Sequence, residues 1–251
     1  MPPARVRTTR KATRQTRRDA AARGTGERGV VAEMLEAAAG PTETSNNLGL
    51  AVRPASLGSS RPVEVPALSP VHTPRFSLRL LEVRDRDEFM RVLAESAHVD
   101  RFLPLRHPGE RDEACFARHL ACARNGDASG VAWRRVAVDG DGRIVGGFNL
   151  IHIERGISFR ADATWWVAGD ALRRGIGTEC VYAMLDVALG DAPIGLGLHE
   201  VFAHVQVQNE PSLKLVSRVG MRQSGERDQT LQVRDEWLVH RTFVKTVLDR
   251  A

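Results

Sequence analysis

Long apolar runs are absent from the sequence, which contains no stretch of 18 or more apolar residues. We therefore expect no membrane-spanning helix. The N-terminus also lacks the apolar core of a secretory signal, so we expect a cytoplasmic protein. Cysteine is scarce, with three residues at Cys115, Cys122 and Cys180. An odd number at these spacings predicts neither a disulfide framework nor a zinc site, and we expect no metal.

Charge is unevenly distributed along the 251 residues, whose formal net charge is +5. Residues 1–28 hold nine Arg or Lys and two acidic residues, so they carry +7 and the rest of the chain carries −2. Such a basic segment is typical of a solvated tail. The alternative is a weak, salt-sensitive contact with nucleic acid or a ribosome surface. Because the rest of the chain is nearly neutral, a protein that acts mainly by binding nucleic acid is poorly supported.

Turn-forming residues separate the basic segment from the patterned part of the chain. Residues 29–39 have the composition of a short helix, whereas residues 40–72 are rich in Pro, Ser, Gly and Asn. A segment of that kind buries too little apolar surface to offset its ordering entropy. We therefore predict a disordered tail and linker over 1–72 and one folded domain over 73–251. The sequence leaves open whether the domain is a monomer or a homodimer.

The folded part alternates between strand and helix patterns. Asp85 and Glu88 resemble a capping box at the start of a helix, and a second helix is predicted from Asp112 to a stop at Gly126. Two strands flank Asp139-Gly140-Asp141-Gly142, which is a strong hairpin signal. The predicted strands are 76–80, 133–138, 144–151, 158–167, 200–207, 221–230 and 236–247, and the later helices are 176–189 and 210–219. This order predicts an α/β (α+β) domain.

The most informative segment runs from Trp165 to Glu179, where a strand leads through a loop with two glycines into a helix. Glycine allows close approach to a ligand, and the free N–H groups of a helix start suit a pyrophosphate. Arg173 and Arg174 add positive charge beside it. A P-loop would need Gly-Lys-Ser/Thr, and a dinucleotide fingerprint would need glycine at Cys180 and a place after the first strand. Both alternatives fit poorly.

A second informative segment lies about 30 residues later, over residues 198–221. A strand runs to Asn209, which can cap the following helix, and Pro211 stands in the first turn, where a missing N–H costs nothing. Gly220 is placed to end that helix.

Together the two segments resemble the cofactor-binding core of the GNAT superfamily of acyl-CoA N-acyltransferases. The resemblance is closer to the RimJ/RimL branch, which acetylates protein N-termini and related amines. The corresponding residues are Trp165-Trp166, Gly175-Ile176-Gly177-Thr178-Glu179, Asn209-Glu210-Pro211-Ser212, Gly220-Met221 and the opening Thr73–Arg79. The resemblance implies a mixed, mostly antiparallel central sheet that is flanked by helices and has splayed central strands.

The resemblance also implies acetyl-CoA as the co-substrate and an amine as the acceptor. Backbone groups of Trp166 and Val167 would hold pantetheine, and Asn209 would bind the same arm. Ser212 would donate a proton to the leaving thiolate. The pyrophosphate would lie on amides of Arg173, Arg174, Gly175, Ile176, Gly177 and Thr178. Helix capping explains Asn209 and Ser212 without any ligand, so that alternative stays open.

The candidate general base is Asp162, which lies four residues before Trp166, where relatives often carry Glu. Alternation places both side chains on one face of the strand. An ordinary strand-edge acid is the alternative. Weaker candidates are His152, His204 and His240, each of which a structural role would also explain.

The acceptor is not specified by the sequence. A protein N-terminus, a small amine and an amine-bearing antibiotic all remain open. The chain has Leu172 where the superfamily often has Gln or Arg, although the RimJ/RimL branch varies there. It has Val239-His240 where the family often has Asp-His, so we expect the acceptor side to differ from the ribosomal enzymes. A non-catalytic acyl-CoA sensor or partner module is the alternative function.

Overall fold

A computed structural model describes residues 70–192, 194–225 and 228–249. The basic segment, the predicted helix over 29–39 and the predicted linker up to residue 69 lie outside these residues. The described part forms one nine-stranded sheet with helices packed against it. None of its helices combines the length and apolar character needed to cross a membrane.

The strands follow the order β1-β2-β3-β4-β5-β6-β9-β7 across the sheet, and β8 pairs with β9. Only β5 and β6 are parallel neighbours; the other pairs in the described residues are antiparallel. The strands are β1 (Val71–His72), β2 (Ser77–Arg79), β3 (Trp133–Val138), β4 (Ile144–Glu154), β5 (Arg160–Val167), β6 (Glu200–Gln206), β7 (Arg222–Gln223), β8 (Gln229–Val233) and β9 (Glu236–Thr246). The predicted mixed, mostly antiparallel sheet is confirmed.

Four α-helices in the described part of the chain accompany the sheet. They are α1 (Arg86–Glu95), α2 (Asp112–Ser129), α3 (Ile176–Leu189) and α4 (Glu210–Arg218). Helix α1 packs on β4 and α2 on β3, while α3 packs across β4, β5 and β6. The core includes fully buried Trp133, Phe148 and Met184, so strand and helix side chains close one continuous apolar layer.

Strands β5 and β6 separate in the middle of the sheet. They pair only from Arg160 to Asp162 on one side and from Glu200 to Phe202 on the other. Strand β5 continues to Val167 and β6 to Gln206 without further pairing between them. The predicted splay of the central strands is therefore confirmed, and a gap opens beyond Asp162.

The predicted stop of α2 at Gly126 is wrong. The helix continues to Ser129 and ends at Gly130, whose φ of 70° is left-handed. Gly126 serves close packing instead, because a Cβ there would lie 2.8 Å from Cβ of Ala132. Helix period alone does not distinguish a packing glycine from a terminating one.

Two other local predictions also differ from the structure. Asp85 does not cap α1: its carboxylate accepts hydrogen bonds from the Glu82 N–H (2.8 Å) and from Arg79 (2.6 and 2.8 Å). Glu88 pairs with Arg91. Near the C-terminus, the single predicted strand 221–230 is wrong, since β7 and β8 are separate.

The start of the sheet includes two residues that the sequence placed in the linker. Val71 pairs with Leu78 and His72 with Ser77, so β1 forms the sheet edge next to β2. The Asp139–Gly142 hairpin is confirmed, and Asp139 Oδ1 accepts from the Asp141 and Arg143 N–H groups.

Adding a methyl group at Gly147 is expected to destabilise the domain. A Cβ there would overlap the Trp166 indole nitrogen and lie 2.8 Å from its Cε2, and the indole is buried against Phe89. Overpacking of this kind costs about 1–3 kcal/mol of unfolding free energy. Denaturant unfolding of Gly147→Ala measures the loss. Gly140→Ala is the matched control, because a Cβ at Gly140 meets nothing within 4 Å; equal stability of both variants would contradict the packing argument.

Candidate active site

A cleft with a volume of ≈ 710 Å³ follows the gap between β5 and β6. One end lies at the glycine turn before α3 and at the start of α4. The lining also includes His98, Val99, Arg101, Phe102 and Leu103. It reaches Gln206 of β6 and His240 of β9, which we call the polar end of the cleft. The cleft thus joins the glycine turn to polar side chains of the sheet.

Most of the predicted site residues line this cleft. They are Trp166, Val167, Arg173, Gly175, Ile176, Gly177, Thr178, Asn209 and Ser212. Arg174 and Asp162 are not among its lining residues, whereas His204 and His240 are. The structure thus brings together all the predicted cofactor-binding residues except Arg174.

The glycine turn has a backbone conformation that glycine adopts more readily than other residues. Gly175 is the N-cap of α3 and has a left-handed φ of 77°, which favours glycine. The first intrahelical bond runs from the Glu179 N–H to the Gly175 carbonyl (3.1 Å), so the earlier N–H groups are left for a ligand. Arg173 and Arg218 line the cleft nearby. Backbone donors and positive charge therefore converge at this end.

A clamp that the sequence analysis missed holds this turn. Glu179 accepts hydrogen bonds from the Thr73 hydroxyl (2.7 Å) and from the Arg75 side chain (2.7 Å). Arg75 also donates to the carbonyl of Arg174 at 2.9 Å. Burial raises the pKa of Glu179, but these hydrogen bonds outweigh it and hold the pKa below its ordinary value. Arg174 therefore helps to fix the turn through its backbone carbonyl, which accepts the hydrogen bond from Arg75.

Asn209 and Ser212 have different roles at the start of α4. The Asn209 Oδ1 accepts a hydrogen bond from the Ser212 N–H at 3.2 Å, so Asn209 caps the helix. Among the described residues, the Ser212 hydroxyl has no hydrogen-bond partner. Capping thus accounts for the carbonyl oxygen of Asn209 but leaves its NH₂ group and the Ser212 hydroxyl available to the cleft.

Asp162 lies where β5 and β6 diverge, and its carboxylate contacts two imidazoles. The Oδ2 lies 2.9 Å from Nδ1 of His152, and the Oδ1 lies 3.5 Å from Nε2 of His204. Burial raises the pKa of Asp162, but the hydrogen bonds from the two histidines outweigh it, so the pKa lies below its ordinary value. A carboxylate held in the ionised form is a weaker base. The carboxylate is thus engaged by a hydrogen bond to His152 and by a longer contact with His204.

Comparison with known proteins identifies one protein family and a group of solved structures with the same fold. The family model described as "Acetyltransferase (GNAT) domain" matches residues 75–222. Among curated proteins the search finds no match.

Solved structures of acetyltransferases share the fold. RimJ from Mycobacterium smegmatis, in complex with CoA-disulfide, is 24% identical with a TM-score of 0.63, over 73% of this chain and 88% of that chain. The ribosomal-protein-S5-alanine acetyltransferase from Vibrio fischeri is 19% identical with a TM-score of 0.62, over 71% and 96%. The spermidine N-acetyltransferase from Vibrio cholerae, in complex with CoA and spermine, is 18% identical with a TM-score of 0.58, over 70% and 98%.

Proposed function

This chain belongs to the GNAT acetyltransferase family, and from that premise we propose that it transfers the acetyl group of acetyl-CoA to a primary amine. One observation carries the proposal: the glycine turn opens directly into the gap between β5 and β6 within a single cleft. A turn for a pyrophosphate, continuous with two unpaired strand edges, suits a cofactor that has both a diphosphate and an amide-bearing arm.

The cofactor arm would lie in the strand gap. Backbone groups of Trp166 and Val167, beyond the last β5–β6 pair, would hydrogen-bond pantetheine as an added strand does. The NH₂ group of Asn209 would donate to the same arm. The pyrophosphate would lie on the N–H groups of the Gly175 turn. With the pyrophosphate and pantetheine held in this way, the thioester would lie near Ser212, which lines the same cleft.

The reaction is direct attack of a neutral amine on the thioester. The amine nitrogen forms a bond to the acetyl carbon, the carbon–sulfur bond breaks, and the electron pair leaves on sulfur, where Ser212 would supply the proton. Deprotonation at pH 7 costs an α-amine roughly 1.4 kcal/mol and a lysine side chain about 4.6 kcal/mol. A protein N-terminus therefore needs less help than a lysine.

The acceptor class within this proposal is a protein N-terminal amine or a small-molecule amine. The names of the similar structures support both, since they include a ribosomal-protein acetyltransferase and a spermidine acetyltransferase. Placement in a RimJ/RimL-like branch rests on the same similarity. A cytoplasmic location stays a prediction.

Calorimetric titration and an acceptor screen test the proposed function together. We expect acetyl-CoA to bind and NADH not to bind. Free-thiol release should then follow addition of an N-terminal peptide, spermidine or an aminoglycoside. Acetyl-CoA binding without thiol release for any amine would favour the alternative of a non-catalytic acyl-CoA module. Absence of acetyl-CoA binding would contradict the proposal.

Asn209→Asp separates helix capping from ligand binding. Aspartate caps a helix as well as asparagine does, so the melting temperature should stay the same. The variant lacks the NH₂ donor, and loss of one hydrogen bond should weaken acetyl-CoA binding about tenfold. Titration and thermal melting measure both properties. Asn125→Asp on the exposed face of α2 controls for the added charge, and unchanged affinity of Asn209→Asp would leave Asn209 as a cap only.

A further inference from the structure

Four polar side chains share one face of β6 and β9 near the polar end of the cleft. Gln206 lies directly opposite His240, and His204 lies opposite Thr242. Opposed residues of an antiparallel pair place their side chains on the same face, about 5 Å apart at Cβ. Gln206, His240 and Thr242 are buried, with 7%, 4% and 1% of their surface exposed. Buried polar groups are almost always hydrogen-bonded, so one without a partner needs an explanation.

The His204–Thr242 pair has polar partners within the protein. Asp162 is held in the ionised form, and its Oδ1 lies 3.5 Å from Nε2 of His204. The Nδ1 of His204 lies 3.2 Å from the Thr242 hydroxyl. His204 lines the cleft, and each of its ring nitrogens faces a polar group of the protein.

The Gln206–His240 pair is different. Nδ1 of His240 lies 2.8 Å from the carbonyl of Leu238, which can only accept, so this nitrogen carries the hydrogen. In the neutral ring, Nε2 therefore holds a lone pair. The Gln206 Oε1 is buried without a hydrogen-bond partner among the described residues. The cleft is thus lined by two adjacent side chains that each have an unused acceptor atom.

We propose that Gln206 and His240 form the subsite for the amino group of the acceptor, with His240 as the proton acceptor and Gln206 as the orienting group. The inference deepens the proposed function and rests on it. An ammonium group has enough N–H donors to engage both acceptors at once, whereas an alcohol or thiol has a single donor. The pair therefore favours amines over alcohols and thiols.

The proton balance of the reaction is complete with these groups. The ammonium transfers one proton to His240 Nε2 and donates a second N–H to Gln206 Oε1. Its freed lone pair then forms the bond to the acetyl carbon, and the carbon–sulfur bond breaks with its electron pair on sulfur. The amide nitrogen loses one further proton, which restores the hydroxyl of Ser212 after Ser212 has protonated the thiolate. His240 returns its proton to solvent.

Two small amines test the role of His240 in the full-length protein. Ethylamine is almost entirely protonated at neutral pH, whereas 2,2,2-trifluoroethylamine is largely deprotonated and does not need a base. We expect His240→Gln to lower kcat/KM for ethylamine about 100-fold and to change the value for trifluoroethylamine only a few-fold. A structural role would lower both equally. The acetyl-CoA Kd should stay within twofold of the wild type.

Gln206→Leu tests the orienting group. Loss of one hydrogen bond should raise KM for both amines about tenfold with a smaller change in kcat. Gln208→Leu, exposed just beyond β6, and His72→Gln, exposed in β1, are the matched controls and should behave as the wild type. His240→Asn, which retains a donor for the Leu238 carbonyl, guards against misfolding and should reproduce the His240→Gln rates.

Three outcomes would overturn the inference. Wild-type rates in both His240 variants would remove His240 as the base. A selective loss with ethylamine in Asp162→Asn, but not in His240→Gln, would return the base to Asp162. Absence of thiol release from the wild type with either amine, while acetyl-CoA binds, would exclude a subsite for a bare amino group. The proposed function itself would be contradicted by a wild type that binds no acetyl-CoA, or by one that releases no thiol with any amine of the acceptor screen.

Discussion

Ser212→Ala is expected to lower kcat and kcat/KM together by about 100-fold. If the hydroxyl protonates the departing thiolate, its contribution arises as the thioester breaks, so acetyl-CoA affinity should barely change. General acids contribute about 100- to 10,000-fold, and a thiolate is a fair leaving group, which favours the lower end. The structure sharpens the expectation, because Asn209 and not Ser212 provides the side-chain cap of α4. Steady-state rates and calorimetric titration measure the two effects.

Ser217→Ala is the matched control for this prediction. Ser217 lies on the same helix and is exposed. Both variants should melt at temperatures close to that of the wild type. A Ser212→Ala protein that melts lower but turns over normally would leave Ser212 with a structural role only.

Gly175→Val should weaken acetyl-CoA binding at least tenfold. A valine at the left-handed φ of 77° is strained by about 1–2 kcal/mol, and its side chain would block the backbone approach that the pyrophosphate needs. If the turn relaxes to relieve the strain, the N–H groups of the first turn of α3 move with it. Either response separates the phosphate from its donors. Isothermal titration of the folded variant measures the loss.

Gly142→Val separates backbone strain from ligand contact. Gly142 has a similar φ of 82° in the β3–β4 hairpin, with no atom within 4 Å of an added Cβ. Both variants should lose comparable stability, but only Gly175→Val should lose affinity. Equal acetyl-CoA affinities would remove the turn from the cofactor site.

Local patterns were enough to predict much of the fold and the position of the glycine turn that lines the cleft. Helix α3 occupies the predicted range 176–189, and Gly175 has the conformation that makes glycine necessary there. The splay of β5 and β6 was predicted only through the family resemblance, because no local pattern records where two strands stop pairing. Gly126 was misjudged for a related reason, since its neighbour Ala132 lies beyond the helix.

The contacts that the sequence could not predict join residues that are distant along the chain. The Arg75–Glu179 clamp joins residues 104 positions apart, and neither residue has a local feature that marks the pair. Asp162 was chosen as the base from its strand position, and its contacts with His152 and His204 emerge only when β4, β5 and β6 come together. Likewise, Gln206 attracted no attention in the sequence, because its opposition to His240 requires the β6–β9 register.

The separation of β5 and β6 also has a thermodynamic consequence. In an uninterrupted sheet, neighbouring strands hydrogen-bond to each other along their length. Here the facing edges of β5 and β6 form no hydrogen bonds with each other beyond Asp162. A molecule that bridges them binds the native state and not the unfolded chain. By mass action, such a ligand at a free concentration of 100 times its Kd adds about 2.7 kcal/mol to the free energy of unfolding. The stability of the protein therefore depends on the ligand concentration around it, and the empty and filled proteins should differ in their resistance to heat and to proteolysis.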